Sequence, residues 1–368
     1  MPALSPEARD DRRHMRRALV LARRGWGRTA PNPLVGAVLV KDGQVVGEGW
    51  HARYGEAHAE AMALAKAGRA AFGATCYVTL EPCAHTGKTP PCAWALVKAG
   101  VARVVAAIRD PNPVAAGGLE KLAAAGIAVE VGVEAEAARE LNAPFLFHQR
   151  GATRPWVTLK LALSLDAAVA DATRERAWIT GEKARRAVHA MRAGADAVAV
   201  GIGTVLADDP ELTVRMGRRP RVPPLRVVFD RGARLPLASA LVKSARRKPV
   251  LLVTADPAPA AAAALERKGV AILPAADLPT ALAALHGRGV RHLMVEGGAS
   301  LAGAFLQAGA VDRLVTFQAP ILLGAGALPA FAGAPAARIA DAPRLRVVAR
   351  RALGDDVQTT FALTELPA

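Results

Sequence analysis

His58-Ala59-Glu60 and the run Pro82-Cys83-Ala84-His85-Thr86-Gly87-Lys88-Thr89-Pro90-Pro91-Cys92 set the imidazole of His58 within reach of two of the chain's three cysteines. One imidazole and two thiolates supply three corners of a tetrahedral Zn²⁺ site and leave the fourth for water. Bound Zn²⁺ brings the pKa of that water to about 7, and Glu60, two positions after the histidine, is placed to carry its proton to a departing amine. These are the parts of a zinc nucleobase-type deaminase. The spacing also predicts local structure. Ala57–Ala67 reads as a helix, Ala74–Leu80 as a strand, Pro91–Ala99 as a helix with proline in its first turn, and Ala102–Ile108 as a strand. Cys76 lies inside the first of these strands without a partner motif and reads as a core residue.

Outward from this segment the alternation continues. Arg12–Arg23 reads as a short basic helix, and Leu34–Val40 and Gln44–Trp50 as strands joined at Lys41-Asp42-Gly43, where Asp-Gly signals a hairpin. Leu119–Ala125, Val129–Val133 and Glu134–Leu141 follow as helix, strand and helix. Periodicity lapses over Asn142–Pro155, the expected boundary. Beyond it a second series predicts strands at Trp156–Leu163, Ala197–Gly201, Leu225–Phe229, Val250–Thr254, Val270–Leu273, His292–Val295, Leu314–Gln318 and Val357–Leu363. Helices are expected at Glu182–Ala193, Ala258–Arg267, Thr280–Leu285 and Ser300–Gln307, and Gly217–Pro224 as an exposed loop. Two α/β domains result, 1–148 and 149–368. Strand His292–Val295 runs into Glu296-Gly297-Gly298 and a helix, a place for a phosphate against backbone N–H groups or simply a tight turn.

Composition narrows the class. Hydrophobic residues make up 52% of the 368 and charged residues 22%, enough for two folded cores. No apolar run is long enough for a spanning helix, and three cysteines build no disulfide framework, so a cytoplasmic protein without membrane contact is expected. The net charge of +16 allows a nucleic-acid partner, a phosphorylated small molecule, or merely an arginine-rich surface.

Pro31-Asn32-Pro33 with Val35-Gly36, Gly55 to Glu60, Thr79 to Cys92 and Asp110-Pro111-Asn112-Pro113 together resemble the bifunctional riboflavin-biosynthesis deaminase/reductases. The eight-residue gap between the cysteines sets this pattern apart from the two-residue gap general among cytidine-type deaminases. The resemblance implies a cytidine-deaminase-like α/β/α domain followed by a dihydrofolate-reductase-like α/β domain. It implies Zn²⁺ on His58, Cys83 and Cys92, proton transfer by Glu60, pyrimidine contacts from Asn32 and His85, and Lys88 near a ribosyl phosphate. Taken alone, Asn32 also reads as a turn residue and His85 and Lys88 as a solvated loop.

In the second half, Leu159-Lys160-Leu161-Ala162, Trp178-Ile179-Thr180, Gly203 to Pro210, Leu212 to Arg215 and Glu296-Gly297-Gly298 are similar to the family's NADPH-dependent reductase. The pattern implies cofactor contacts at Ala162, Trp178, Thr204, Asp208, Gly297, Gly298, Ala299, Ser300, Leu301 and Ala302. Substrate contacts fall to Arg192, Leu212, Arg215 and Glu296, and Lys160 is a candidate proton donor. The implied partner is a phosphorylated pyrimidine in a homo-oligomeric enzyme, with no nucleic acid. The chain departs from the pattern at Ala167-Ala168, where Gly-Arg or Gly-Lys is usual, and at Arg176 and Arg231, where serine is usual. These departures leave open a deaminase joined to an impaired reductase half; a nucleic-acid deaminase is the other alternative.

Overall fold

A computed structural model describes residues 5–86, 90–175, 177–333 and 337–366. The chain parts into two compact units between Gly151 and Ala152.

The first unit opens with α1 (Pro6–Ala22), capped by Ser5, whose Oγ accepts the Ala8 N–H at 3.2 Å. The helix starts a turn and a half before the expected Arg12, because serine followed by proline initiates it ahead of the charged run. Strands β1 (Gly36–Lys41) and β2 (Gln44–Trp50) form a hairpin; Asp42 and Gly43 both take positive φ, 49° and 74°, as the expected tight turn demands. Then come α2 (Ala59–Ala67), β3 (Thr75–Val78), α3 (Cys92–Ala99), β4 (Arg103–Ala106), α4 (Gly118–Ala124), β5 (Ala128–Val131), α5 (Ala135–Leu141) and α6 (Ala143–Gln149). The last helix runs into the boundary stretch Asn142–Pro155 despite its lapse of periodicity: Pro144 stands in the first turn, where a missing N–H costs nothing.

The sheet order is β2-β1-β3-β4-β5, with β3, β4 and β5 parallel. Side chains alternate across it. Ala37, Leu39, Cys76, Val78, Val104 and Ala106 face one core, shared with Ala59 and Ala63 of α2, Leu96 of α3 and Leu119 and Leu122 of α4. Val38, Val40, Tyr77 and Val105 face the other, with Met15, Ala18 and Leu19 of α1 and Leu146 of α6. Helices thus cover both faces in an α/β/α sandwich, with Cys76 in the core.

The second unit contains β6 (Trp156–Leu163), β7 (Ala168–Ala170), α7 (Glu182–Ala193), β8 (Ala197–Gly201), α8 (Ile202–Asp208), β9 (Leu225–Phe229), α9 (Ala240–Lys243), β10 (Val250–Thr254) and α10 (Pro259–Arg267). It continues with β11 (Val270–Pro274), α11 (Leu278–Gly287), β12 (His292–Val295), α12 (Ala299–Gln307), β13 (Arg313–Gln318), β14 (Leu328–Pro329), β15 (Arg346–Leu353) and β16 (Asp356–Ala362). Nine strands form one sheet, β11-β10-β9-β8-β12-β6-β13-β16-β15, parallel as far as β13 and antiparallel beyond. The order reverses beside β8: β9 to β11 extend to one side, β12 and β6 to the other. Ligands bind outside the carboxyl ends of strands at such a reversal. β15 was not anticipated; most of its residues are exposed, so the burial that marks a strand is missing.

Along β6, Val157, Leu159, Leu161 and Leu163 enter one core layer. Lys160 and Ala162 therefore point the other way, into a cavity. The turn leaving β6 holds Ala167 at φ 60°, a left-handed conformation for which glycine is the usual residue.

Candidate active sites

In the first unit three chain segments converge. His58 is the extended residue that caps α2 and so stays off the helix, while Glu60 lies in its first turn. The start of α2 can press onto β2 because Gly49 has no side chain: a Cβ there would meet the Ala59 carbonyl at 2.0 Å. Cys83 lies in the loop after β3, and Cys92 is the first residue of α3. Cys92 Sγ lies 3.3 Å and Cys83 Sγ 3.6 Å from His58 Nδ1, and the Cys92 N–H points at Cys83 Sγ at 3.4 Å.

The three donor atoms lie within 4.8 Å of one another, in a sulfur–sulfur–nitrogen set suited to Zn²⁺. Contact with the Cys92 thiol, His58 and that N–H holds the Cys83 thiol below the ordinary thiol range, which favours the thiolate form that a metal takes as ligand. Glu60 is buried, 3% exposed, and burial pushes its carboxyl up to about 7. A carboxyl in that range can hold or release a proton near neutrality.

Asn32 stands beside this centre through a residue the sequence reading passed over. His51, at the end of β2, is buried and packs edge-on against the His58 ring at 5.6 Å between centroids. His51 Nδ1 lies 3.1 Å from the Ala57 carbonyl, so it carries the proton; Nε2 then accepts from Asn32 Nδ2 at 3.2 Å. The Asn32 amide is thereby oriented. A lone histidine at a strand end carries no motif, and only the fold joins it to Asn32.

Glu81, inside the Thr79–Cys92 stretch, likewise has a part that no motif signals. Its carboxylate accepts the N–H groups of Gly117, Leu119 and Asp110 at 2.9, 3.2 and 3.1 Å, clasping the Cys83 loop to the start of α4. His85 Nδ1 is buried without a hydrogen-bond partner. Lys88 lies outside the described residues.

In the second unit a cavity of about 1510 Å³ opens along the carboxyl ends of β8, β9, β10 and β12. It exceeds the usual size of a small-ligand pocket and has room for a dinucleotide beside a second ligand. Lys160, Ala162, Trp178, Thr204, Asp208, Gly297, Gly298, Ala299, Ser300 and Leu301 line it, as do Arg192, Leu212, Arg215 and Glu296. Ala302 does not: it is fully buried and turns into the core. At the β12–α12 junction a Cβ on Gly298 would press on Thr204 Oγ1 at 3.3 Å. The bare backbone there leaves a turn that phosphates can approach, which suits NADPH.

The remaining wall is polar and tightly held. Arg192 pairs with Glu296 through both carboxylate oxygens and donates to the Thr213 carbonyl at 3.0 Å. His189 Nδ1 accepts the Arg215 N–H at 3.2 Å, so α7 holds the Leu212–Arg215 loop at two points. Leu212 itself is buried with φ 53°, a strained conformation of the kind that collects at ligand sites. Burial lowers the Lys160 ammonium below its ordinary 10.5, against the pull of Glu296.

Known proteins match both units. Residues 8–108 match the model of the cytidine and deoxycytidylate deaminase zinc-binding region, and residues 155–359 that of the RibD C-terminal domain. The riboflavin biosynthesis protein RibD of Aquifex aeolicus is 43% identical over 317 residues, 86% of this chain and 88% of its own. Acinetobacter baumannii RibD superposes with a TM-score of 0.82 at 41% identity, over 97% of this chain and 100% of its own. A diaminohydroxyphosphoribosylaminopyrimidine deaminase/5-amino-6-(5-phosphoribosylamino)uracil reductase from Thermotoga maritima gives 0.82 at 34% identity, over 97% and 99%. Neither an impaired reductase half nor a nucleic-acid deaminase finds support in these matches.

Proposed function

This chain belongs to the family of bifunctional riboflavin-biosynthesis deaminase/reductases, and from that premise we propose which of its residues carry the two reactions. It is a zinc-dependent deaminase and an NADPH-dependent reductase; we assign the first activity to residues 1–148 and the second to 149–368. The substrate we assign is 2,5-diamino-6-(5-phosphoribosylamino)pyrimidin-4-one.

In the deaminase half His58, Cys83 and Cys92 would hold Zn²⁺, which when bound supplies Lewis acidity and an acidified water. Glu60 takes a proton from the attacking water and returns it to the amine that leaves as ammonia. Asn32, its Nδ2 engaged by His51, keeps Oδ1 free to accept from a ring amino group. His85, with an unsatisfied ring nitrogen, meets the pyrimidine. Lys88 is assigned to the phosphate by resemblance alone.

In the reductase half NADPH, when bound, would supply the hydride for C1′ of the ribosyl group. Ala162, Trp178, Thr204, Asp208 and the Gly297–Leu301 turn line its place, and Ala302 supports that turn from behind. Arg192, Leu212, Arg215 and Glu296 position the substrate. Lys160 donates the proton that the ring oxygen needs as the sugar opens to ribityl.

One observation carries the reading: an imidazole nitrogen and two sulfurs lie within 4.8 Å of one another, beside a buried glutamate. The test is ammonia release by zinc-loaded Glu60→Gln. Loss of at least about 100-fold with zinc retained and NADPH oxidation of the deaminated intermediate intact is expected; full ammonia release would refute it.

No described helix is long and apolar enough to cross a membrane, and all three cysteines are free, which supports a cytoplasmic setting. A homo-oligomer without nucleic acid completes the proposal; light scattering and salt-dependent binding of RNA or DNA test those two points.

A further inference from the structure

Among the described residues, which do not include Arg176, six arginines line the cavity of the second unit: Arg174, Arg185, Arg192, Arg215, Arg231 and Arg234. Five are engaged. Arg174 donates to the Gly326 carbonyl, Arg185 to that of Thr180, Arg192 and Arg215 to Glu296 and Glu211, and Arg234 reaches Asp230 Oδ1 at 3.4 Å. The Arg231 guanidinium has no partner among the described residues, although its backbone is held: its carbonyl accepts from Thr254 Oγ1 at 2.9 Å. A fixed root and an uncommitted planar fork in a cavity wall make a receptor for a doubly charged oxyanion.

The position says which anion. Arg231 follows β9, and β9, β8 and β12 are neighbouring parallel strands, so their carboxyl ends share one rim. Two strand spacings, about 10 Å, separate the Gly297–Gly298 turn from Arg231. That is the reach of a dinucleotide from its pyrophosphate to the far side of its adenosine. Asp230, the preceding residue, is 2% exposed, lines the same wall and has Oδ2 without a hydrogen-bond partner. A buried acceptor of this kind calls for a donor such as a ribose hydroxyl. Arg192, Arg215 and Glu296, assigned to the other ligand, are grouped with α7 instead.

We propose that Arg231 receives the 2′-phosphate of NADPH and sets the preference of this chain for NADPH over NADH. The proposal rests on the reading of the second unit as the reductase. Titrations of the full chain with NADPH, NADH and adenosine 2′-monophosphate, followed by fluorescence or calorimetry, test it without turnover. Arg231→Gln should bind NADPH and the monophosphate about 10- to 100-fold more weakly and leave NADH within about twofold, since only a charge-assisted contact is lost. Arg231→Lys, which keeps the charge without the fork, should recover part of the difference and guards against a loss of fold. Equal NADPH affinity in wild type and Arg231→Gln would overturn the assignment, as would a parallel loss for both dinucleotides. Competition by ribose 5-phosphate that is lost in Arg231→Gln while NADPH binding persists would assign the arginine to the substrate phosphate and overturn it too. A wild-type chain that binds neither dinucleotide would overturn the reductase reading along with it.

Discussion

Arg192 of α7 and Glu296 at the end of β12 meet as two forks, Nη2 donating to Oε2 at 2.8 Å and Nε to Oε1, with both side chains almost wholly buried. Burial alone would raise the Glu296 carboxyl; the Arg192 charge and hydrogen bonds outweigh it and hold the group below its ordinary 4.5. Either partner alone would be a buried, unpaired charge.

Arg192→Gln should therefore destabilise the second unit by about 3 kcal/mol, and pairing it with Glu296→Gln should restore part of the loss. Denaturant unfolding of the two single variants and the double variant measures the coupling. Because the folded pKa of Glu296 is depressed, its contribution is complete above pH 4.5 and fades as pH falls through the folded value. Glu296→Gln should flatten that acid limb.

Lys160 is the proton donor in the reading above and must be charged to serve. Its pKa is lowered chiefly by burial, so hydride transfer should fall on the alkaline side with an apparent pKa below 10.5. Single-turnover NADPH oxidation against pH should show that limb, and Lys160→Gln should abolish it together with most of the rate.

Ala167 at φ 60° bears a left-handed penalty of roughly 1 kcal/mol, part of which glycine would return to the flexibility of the unfolded chain. Ala167→Gly should stabilise the second unit by about 0.5 kcal/mol. A chemical-denaturation midpoint at or below that of wild type would contradict it.

Glu81 touches no ligand in this reading, yet it ties three backbone N–H groups around the Cys83 loop. Glu81→Ala should cost about 2 kcal/mol and weaken zinc retention against a chelator. If zinc is kept as tightly as in wild type, the clasp is structural alone.

The convergence of His58, Cys83 and Cys92 and the Gly297-Gly298 turn were legible because such clusters need particular residue types at short spacing. The strands of both cores were legible from runs such as Trp156–Leu163, where burial dictates an apolar pattern. What stayed hidden is made by contacts between distant segments. His51 acquires its meaning from Asn32 and Ala57, Glu81 from α4, and His189 from the backbone of Arg215. Strand β15 stayed hidden for the opposite reason: an exposed edge leaves no apolar pattern to read.

The first strand of the second unit, β6, lies between β12 and β13, with Trp156 paired to His292 and Thr158 to Arg313. A ribosome must therefore deliver most of that unit before β6 gains a neighbour, whereas β1 finds β2 a few residues after it emerges. During synthesis the row Val157, Leu159, Leu161 and Leu163 stays unshielded beside a deaminase half that has already closed. Premature termination near residue 290 should thus leave a soluble zinc-binding module trailing an adhesive tail, the form that chaperones or proteases would meet.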